Sequence, residues 1–365
     1  MSLTPGKCFK PMLAHPSKGI DEVLKKFGGK DDFACEWKYD GERIQVHRTQ
    51  AGKVQLFSRN QLETTNKYPD VVERLSKCLA PGTKDFIADG EVVAWDVDKA
   101  TILPFQTLST RKRKAADSNS VKVQVVIFLF DLIYVNGKSL VDLPFRQRRQ
   151  QLHQKLIQVP GSVFFVTSMD TKDPEEIGDF LQDAVRGSCE GLMLKTLDSP
   201  YLVVIGGYNG EGRRQTVYGA YLLAVYDSKS KEYQTICKVG TGFTDNDLRK
   251  QFKEFGKLRI KEPLSNYAYH RSLEPDFWFE PKVVWEIKAY GLTISPRHCA
   301  AKGLVDPAKG LSLRFPRFLR VRDDKKVEDA TGPEQLNEMY KKQEDVANFV
   351  YKPADENDDE EEDIS

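Results

Sequence analysis

The sequence has few of the residues that build metal sites or disulfide frameworks. It contains five histidines, and its six cysteines stand far apart without a C-x-x-C pair. Zinc sites and disulfide-rich secreted folds both need such residues at short spacing. We therefore expect a protein of a reducing compartment without a zinc centre.

Long apolar runs are also missing. No apolar stretch approaches the roughly 18–20 residues that span a bilayer, and the first ten residues lack the apolar core of a signal peptide. These absences argue against a membrane protein. The remaining composition, 40% hydrophobic and 30% charged over 365 residues, is typical of a globular protein with room for two domains.

Charge is unevenly distributed along the chain. The formal net charge is +1, but residues 354–365 carry eight acidic side chains. Removing those eight from the 54 acidic residues leaves 46 against 55 basic ones, a net charge of +9 on residues 1–353. We predict a disordered tail, because it cannot bury enough apolar surface to offset the entropy of ordering. The basic body suggests a polyanionic partner.

The first half of the chain alternates predicted strands and helices. Residues 121–137, VKVQVVIFLFDLIYVNG, indicate a long buried strand that ends in an Asn136-Gly137 turn, and a helix follows over about 144–156. Residues 173–176 are typical of a helix start, with an aspartate N-cap, a proline and two acids. The stripe that follows predicts the buried face of that helix: Ile177, Phe180, Leu181, Ala184 and Val185.

From about Leu202 the pattern changes to short strands separated by glycine-rich or polar turns, with one short helix near 245–255. Several short strands with one helix predict a small Greek-key barrel of the OB type. We therefore predict an α+β domain of antiparallel sheets with flanking helices over residues 1–200 and an OB-type β-barrel over 201–330. A C-terminal segment with the acidic tail follows over 331–365.

The stretch EWKYDGERIQVHR, residues 36–48, gathers charged side chains around a glycine inside a strand-like pattern. One interpretation is a polar hairpin corner at Asp40-Gly41. The other is a nucleophilic lysine, Lys38, set beside groups that neutralise a phosphate. The short KxDG pattern alone does not decide between them.

Further charged and aromatic residues stand at strand ends in the first half. Glu91 lies among apolar residues, where an unpaired carboxylate is costly. Each of these residues also has an ordinary interpretation as a surface or core residue, and their joint occurrence in this order favours a site. They are Arg59, Glu91, Phe130, Glu190 and Lys195.

With these residues the chain resembles the ATP-dependent DNA ligases, most specifically the eukaryotic replicative type. The resemblance runs from Pro11 to about Asp324 and includes PFQTLSTRKRK, VGTGFTD, AKGLVD and SLRFPRFLRVRDD. It implies a nucleotidyltransferase domain followed by an OB-fold domain, ATP and Mg²⁺ as cofactors, and nicked duplex DNA as partner. It also implies a monomeric nuclear enzyme of DNA replication, repair and recombination.

The resemblance gives each residue of the cluster a task. Lys38 matches the lysine that attacks the α-phosphate of ATP and carries AMP through an N–P bond. A lysine attacks as the neutral amine, a form that nearby positive charge and Mg²⁺ favour. By the same resemblance, Glu36 would recognise adenine, Phe130 would stack on the adenine ring, and Arg43 would contact the nucleotide. Glu91 and Glu190 would bind the ribose and the metal, and Lys195 would bind phosphate. Arg59 would hold the sugar or the 5′-phosphate of the nick.

The implied chemistry is three in-line displacements at phosphorus. Lysine is adenylated, AMP passes to a 5′-phosphate, and a 3′-hydroxyl then attacks with release of AMP. Such reactions need positioning and charge neutralisation, which fits a cluster of cations and acids. An RNA ligase or an mRNA-capping guanylyltransferase shares the KxDG chemistry and is an alternative, although the long ligase-like stretches oppose it.

Two further groups match DNA-contacting positions of the family. The run Arg111-Lys112-Arg113-Lys114 favours phosphate contact, with nuclear targeting or a solvated turn as other interpretations. Phe105 and Phe315 match phenylalanines that press into the minor groove beside the nick, and without the resemblance both are interpreted as core residues. The terminal RFPRFLRVR motif, which in the family moves against the pyrophosphate of ATP, contains Arg314, Arg317, Arg320 and Arg322.

The chain departs from the family pattern at two places. The N-terminal DNA-binding domain of these ligases is not seen, since Met1-Ser2 leads almost directly into the catalytic core. Between Asp198 and Leu202 only three residues stand where the family has a longer insert with a WLKLKKDY-type strand and two phosphate-contacting lysines. We therefore expect slow adenylation, and a catalytically impaired nick- or DNA-binding protein is a further alternative.

Overall fold

The computed structural model describes residues 3–14, 16–17, 19–27, 33–111 and 123–350. Within these residues the chain forms helices of very different length, from five to 18 residues. They are α1 (Ile20–Phe27), α2 (Pro69–Leu75), α3 (Phe105–Ser109), α4 (Phe145–Lys155), α5 (Pro174–Arg186), α6 (Asp245–Gly256) and α7 (Pro333–Val350).

The strands of the first half form two sheets. They are β1 (Phe33–Lys38), β2 (Glu42–Arg48), β3 (Val54–Ser58), β4 (Phe86–Asp96), β5 (Thr101–Ile102), β6 (Val125–Val135), β7 (Lys138–Ser139), β8 (Val163–Phe165), β9 (Ser168–Thr171) and β10 (Gly191–Thr196). A three-stranded sheet has the order β10-β1-β9. A seven-stranded sheet has the order β3-β2-β4-β6-β7, with β5 added to β4 and β8 to β6. Pairing is antiparallel except between β6 and β8.

The strands of the second half form one large curled sheet and one two-stranded sheet. They are β11 (Tyr201–Asn209), β12 (Tyr218–Asp227), β13 (Glu232–Val239), β14 (Arg259–Ile260), β15 (Tyr267–Ala268), β16 (Phe277–Phe279), β17 (Val284–Lys288), β18 (Gly291–Ser295), β19 (Gly310–Arg314) and β20 (Arg317–Val321). The large sheet has the order β14-β16-β11-β12-β13-β15, and β17 joins β11 to β20. The two-stranded sheet pairs β18 with β19. The predicted fold class, an α+β domain followed by an OB-type β-domain, is confirmed.

The curled sheet is buried on both faces. Successive residues of a strand point to opposite faces, and here both sets of side chains are apolar. Leu202 and Val204 of β11 belong to one hydrophobic cluster, while Val203 and Ile205 belong to the cluster on the opposite face. We retain the predicted domain division near residue 200 as a proposal, supported by the change of sheet between β10 and β11. No helix among the described residues is long and apolar enough to cross a membrane.

The helix predicted from its N-cap begins as expected. The carboxylate of Asp173 accepts hydrogen bonds from the amides of the next two acids at 2.8 and 3.3 Å, and α5 starts at Pro174. Ile177 and Ala184 are buried as predicted, but Val185 is 59% exposed. Val185 was wrongly placed on the buried face: Ile177 and Ala184 define that face, and Val185 lies about 100° around the helix from Ala184.

The long buried strand is also confirmed. Within the described residues it runs over β6, with residues 125–129 buried, and it ends in the Asn136-Gly137 turn with both φ angles positive (47° and 82°). This is the backbone that an Asn-Gly hairpin turn requires. The helices predicted near 144–156 and 245–255 appear as α4 and α6.

The Asp40-Gly41 corner is not a hairpin, so that interpretation is wrong. β1 pairs with β9 and β10, whereas β2 pairs with β3 and β4. The chain therefore leaves one sheet and enters another immediately after Lys38. A side chain at Gly41 would place its Cβ 2.2 Å from the carbonyl oxygen of Val92, so only glycine fits this close approach.

Candidate active site

A cavity of about 1220 Å³ brings together most of the residues predicted to act on the nucleotide. Its walls come from both sheets of the first half, from the N-terminal segment and from the segment after β20. Ligand cavities commonly measure about 300–1,000 Å³, so this one accommodates a nucleotide with room to spare. The predicted residues that line it are Glu36, Lys38, Arg43, Arg59, Glu91, Phe130, Glu190, Lys195, Arg320 and Arg322.

Lys38 occupies the end of β1, on the wall of the cavity. It lies opposite Gly191 in the β1–β10 ladder, and its carbonyl accepts a hydrogen bond from the amide of Glu190 at 2.8 Å. The ammonium group forms an ion pair with the carboxylate of the same Glu190. Each of the two side chains is 42% exposed, so both remain accessible to a ligand.

Glu36 and Lys195 form a second pair, deeper in the same sheet. Nζ of Lys195 lies 2.5 Å from Oε2 of Glu36, a residue that is only 2% exposed. Burial raises the pKa of Glu36, and the nearby ammonium opposes that rise. Oε1 of Glu36 has no hydrogen-bond partner in the described part of the chain. A buried acceptor without a partner beside a cavity suits a ligand that donates a hydrogen bond.

Arg43 is held from two sides on β2. Its guanidinium donates to the carbonyl of Met12 at 2.6 Å and to Oδ2 of Asp89 at 2.7 Å, and it lies 5.3 Å from the centre of the Phe130 ring. Burial opposes the charge of Arg43, but its acidic neighbours raise its pKa overall. Asp89 and Met12 were missed by the sequence analysis. The Asp-Gly-Glu spacing was the signal for Asp89, because residues two apart lie on the same face of a strand and Glu91 was already predicted for the site.

Glu91 faces Arg43 across the β2–β4 ladder. Burial raises the pKa of Glu91 to about 7, against the pull of Arg43 and Lys38. A carboxyl poised near neutrality in a cavity is a frequent property of functional sites.

A β-bulge directs Phe130 into the cavity. Asp89 pairs with Asp131 and Gly90 pairs with Leu129, so Phe130 is the extra residue of β6. For this reason both Phe130 and its neighbour Asp131 line the cavity, although successive residues of a regular strand face opposite sides. The predicted strand contained no signal for the bulge.

Asp131 forms a further ion pair with Arg148, a residue that the sequence analysis did not assign to the site. Arg148, in α4, donates from Nε and from one terminal nitrogen to the two carboxylate oxygens of Asp131, both at 2.9 Å. Arg148 is fully desolvated, and Asp131 nevertheless raises its pKa. The pair supports the cavity wall directly behind Phe130. Nothing distinguishes Arg148 from the other cations of FRQRR in the sequence.

The two predicted metal ligands, Glu91 and Glu190, lie on the wall of the same cavity. In the described part of the chain, no three His, Cys, Asp or Glu residues come close enough to hold a metal ion by themselves. Mg²⁺ commonly uses one or two carboxylates together with water and substrate phosphates. The carboxylates therefore fit an ion that a bound nucleotide shares, rather than an all-protein metal cage.

The four arginines of the terminal motif do not share one surface. Arg320 donates to Oε2 of the buried Glu286 at 2.8 Å, and Arg322 lies 3.3 Å from the same oxygen. These two line the cavity, whereas Arg314 and Arg317 are exposed outside it. A role against pyrophosphate for the outer two remains a prediction that this arrangement does not favour.

The predicted DNA-contacting residues lie in different environments. Phe315 is 74% exposed, which makes its interpretation as a core residue wrong, while Phe105 packs half-buried against the hydrophobic core. Arg111 is 6% exposed, and its guanidinium is bound by Asp70 and by backbone carbonyls. This placement does not favour phosphate contact by Arg111, because its donors are already engaged. Lys112, Arg113 and Lys114 lie outside the described residues.

The three-stranded sheet has an open edge at β10. Among the described residues no strand pairs with the far side of β10, and the chain passes through residues 197–200 directly into β11 of the curled sheet. The insert with a lysine-bearing strand that the resemblance expects between Asp198 and Leu202 stays a prediction. β10 itself is mostly half-buried.

Two family patterns match the chain. The family described as ATP dependent DNA ligase domain covers residues 11–205, and the ATP dependent DNA ligase C terminal region covers residues 214–325. The chain is 48% identical to DNA ligase 1 of Drosophila melanogaster, over 94% of this chain and 50% of that protein. It is 46% identical to DNA ligase 1 of Arabidopsis thaliana, over 94% of this chain and 47% of that protein.

Among solved structures, mycobacterial DNA ligase D complexed with ATP and MES aligns with 89% of this chain and 98% of that chain. The identity is 20% and the TM-score is 0.38. The chain spans about half the length of the DNA ligase 1 proteins from fly and plant.

Proposed function

This chain belongs to the family of ATP-dependent DNA ligases, and on that premise we propose that it seals nicks between a 5′-phosphate and a 3′-hydroxyl in duplex DNA. The reaction runs through AMP bound covalently to Lys38. The proposal is supported above all by the position of Lys38, which ends a strand on the wall of a cavity that also collects Glu36, Arg43 and Phe130.

The first step follows from the chemistry of this wall. Neutral Nζ of Lys38 attacks the α-phosphorus of ATP, an N–P bond forms, the bond to the β-phosphate oxygen breaks, and pyrophosphate leaves. Glu190 pairs with the ammonium of Lys38 in the resting protein and is the nearest acceptor for the proton that must be lost before attack. Arg43 and Lys195, which line the same cavity, would supply positive charge to the phosphate oxygens on which negative charge develops.

The same wall has the parts that recognise a nucleotide. The Phe130 ring is available for stacking against a base, and the unpartnered Oε1 of Glu36 can accept a hydrogen bond from an amino group. Glu91 and Glu190 would hold Mg²⁺ together with the nucleotide phosphates, where the ion neutralises negative charge. Arg59 is exposed and lines the cavity, which supports its proposed contact with the sugar or the 5′-phosphate of the nick.

Covalent labelling tests the proposal. We expect the chain to acquire label from α-³²P-ATP but not from α-³²P-GTP, and we expect Lys38→Ala to abolish labelling without a change in thermal stability. Lys77→Ala changes an exposed lysine in the turn after α2; it is the matched control and should label normally. Labelling from GTP alone would favour a capping guanylyltransferase, and full labelling of Lys38→Ala would require another nucleophile.

Nicked duplex DNA is the proposed partner, and the protein is proposed to bind it as a monomer. The +9 charge of residues 1–353 predicts that binding is largely electrostatic. The dissociation constant should rise steeply between about 50 and 200 mM salt, because phosphate-bound counterions are released on binding. A salt-independent affinity for nicked duplex would contradict this part of the proposal, and light scattering during the titration reports the oligomeric state.

We also propose a nuclear location, with residues 112–114 as the basic signal. Fluorescently tagged protein and a variant with Lys112, Lys114 and Arg113 changed to alanine would be compared in cells. Nuclear accumulation of the parent and its loss in the variant are the expected results. Equal distribution of the two proteins would assign the basic run to another role.

A further inference from the structure

The two-stranded sheet of β18 and β19 leads into Phe315, the more exposed of the two phenylalanines predicted to contact DNA. Phe315 follows β19 directly, is 74% exposed and has a left-handed backbone with φ of 50°. The Tyr290 ring, just before β18, lies 6.2 Å from the Phe315 ring in an edge-on arrangement. The amide of Tyr290 donates to the carbonyl of Arg314 at 2.8 Å. The position of Phe315 is therefore set by how firmly β18 is held.

An isolated pair of strands is only marginally stable in water. β19 is supported by a bridge between Ala300 and Leu311, but no strand among the described residues pairs with the outer edge of β18. A strand edge leaves its backbone N–H and C=O groups without partners unless another group supplies them. This edge is the weak point of the structure that presents Phe315.

Helix α7 closes that edge with a single side chain. The amide of Leu292 donates to Oε1 of Gln343 at 2.8 Å, and Nε2 of Gln343 donates to the carbonyl of Leu292 at 3.0 Å. The carboxamide thus makes the two hydrogen bonds that a neighbouring strand would make. The Leu292 side chain meanwhile points into the core and is 3% exposed.

The neighbouring glycine is fitted to this contact. A Cβ at Gly291 would lie 2.7 Å from Oε1 of Gln343, closer than real Cβ atoms approach another atom. Since no other atom lies so near that position, alanine at Gly291 would displace the carboxamide and little else. Gly291 therefore provides a second, independent way to open the same contact.

We propose that Gln343 is a positioning residue for nick binding. Its carboxamide brackets the edge of β18 and so fixes the β18–β19 sheet that presents Phe315 to the duplex. This inference rests on the proposed function, because it assigns Gln343 a part in binding the nicked substrate. It concerns a residue of α7, beyond the segment of 214–325 that matches the ligase family.

Hydrogen exchange and nick binding, measured on the full chain, together test this role of Gln343. In Gln343→Ala the amide of Leu292 should exchange about tenfold faster, since an opened hydrogen bond removes its protection. The dissociation constant for nicked duplex should rise about three- to tenfold, the loss that one or two neutral hydrogen bonds produce. The rate of AMP attachment to Lys38, which depends on the distant cavity, should not change.

Two further variants complete the design. Gly291→Ala should reproduce both effects of Gln343→Ala, although it leaves the glutamine in place. Gln182→Ala makes the same chemical change on the exposed side of α5 and should alter neither exchange at Leu292 nor nick affinity. Agreement between Gln343→Ala and Gly291→Ala, with Gln182→Ala unchanged, would support the positioning role of Gln343.

Three results would overturn the inference. Unchanged exchange at Leu292 would show that Gln343 does not protect the edge, and faster exchange with unchanged nick affinity would show that the edge does not position the binding surface. An equal loss of nick affinity and AMP attachment would indicate general destabilisation. Failure of the proposed function is separate: the unmodified chain would then neither take up AMP nor prefer nicked duplex.

Discussion

Lys195 places its ammonium nitrogen 2.5 Å from a carboxylate oxygen of Glu36, inside the sheet that also carries Lys38. Glu36 is almost completely buried, so this ion pair is held in a medium that penalises either charge alone. The ammonium also lies 4.5 Å from the centres of the Phe130 and Phe145 rings. One lysine therefore neutralises a buried acid and packs against the proposed base-stacking ring.

Lys195→Met should destabilise the fold because it leaves the Glu36 carboxylate buried without its partner. We expect a loss of about 3 kcal/mol in the free energy of unfolding, measured by urea denaturation at pH 7. The double variant Glu36→Gln/Lys195→Met should recover most of that loss, since no buried charge remains. A double variant as unstable as the sum of the two single variants would show that the residues act independently.

Gly41→Ala should destabilise the turn between the two sheets. A Cβ at this position meets the Val92 carbonyl, which belongs to the backbone of β4 and cannot move aside without breaking the ladder. We expect a loss of about 2–3 kcal/mol and a strong decrease in AMP attachment, because the shift displaces Lys38. Gly178→Ala is the control: it meets no atom within 4 Å, lies in α5, and should be neutral or slightly stabilising. Equal stability of the two variants would disprove the steric argument.

The buried carboxylate of Glu286 should make the free energy of unfolding fall in acid. Burial alone would raise its pKa, but Arg320 and Arg322 outweigh burial and lower the pKa of Glu286 to about 2, and Thr196 also donates to it. A carboxyl with a pKa below its unfolded value stabilises the fold above about pH 4.5, and that contribution is lost as the pH falls from about 4.5 to 2. The shift corresponds to about 3 kcal/mol.

The comparison that isolates this contribution uses Glu286→Gln. Melting temperatures of the parent and the variant would be measured between pH 3 and 7. The parent should be more stable at pH 7, and the difference should shrink as the pH approaches 3. A difference that stays constant over this range would show that Glu286 is not the titrating group.

Adenylation by this chain should be slow. A missing preorganised cation typically costs about 3–4 kcal/mol in a transition state that gains negative charge, roughly a hundred- to thousandfold in rate. The β10 edge lies open where the resemblance expects a strand with two lysines. A chain with a WLKLKKDY-bearing segment inserted after Asp198 should therefore acquire AMP faster, as measured by single-turnover labelling. Equal rates for the two chains would show that those lysines are not needed here.

Local sequence signals were sufficient wherever the interaction spans a few residues. The N-cap and proline predicted the start of α5, and the Asn136-Gly137 pair predicted the turn after β6. In both cases the partners are neighbours in the chain, so the residue types alone specify the hydrogen bonds. The identity of the cavity residues came from their joint order along the sequence, and their meeting in one cavity is a property of the fold.

Tertiary structure decided the features that depend on distant partners. Asp40-Gly41 has the composition of a hairpin turn, but β1 and β2 pair with strands from elsewhere in the chain and so belong to different sheets. The bulge that aims Phe130 into the cavity exists only in the register between β4 and β6, and the burial of Arg111 depends on Asp70. The sequence by itself determined the local elements and part of the inventory of the site, without Asp89, Met12 and Arg148. The tertiary structure decided strand partners, register and burial. Each of these features depends on residues that are far apart in the chain, so a short stretch of sequence does not contain both partners.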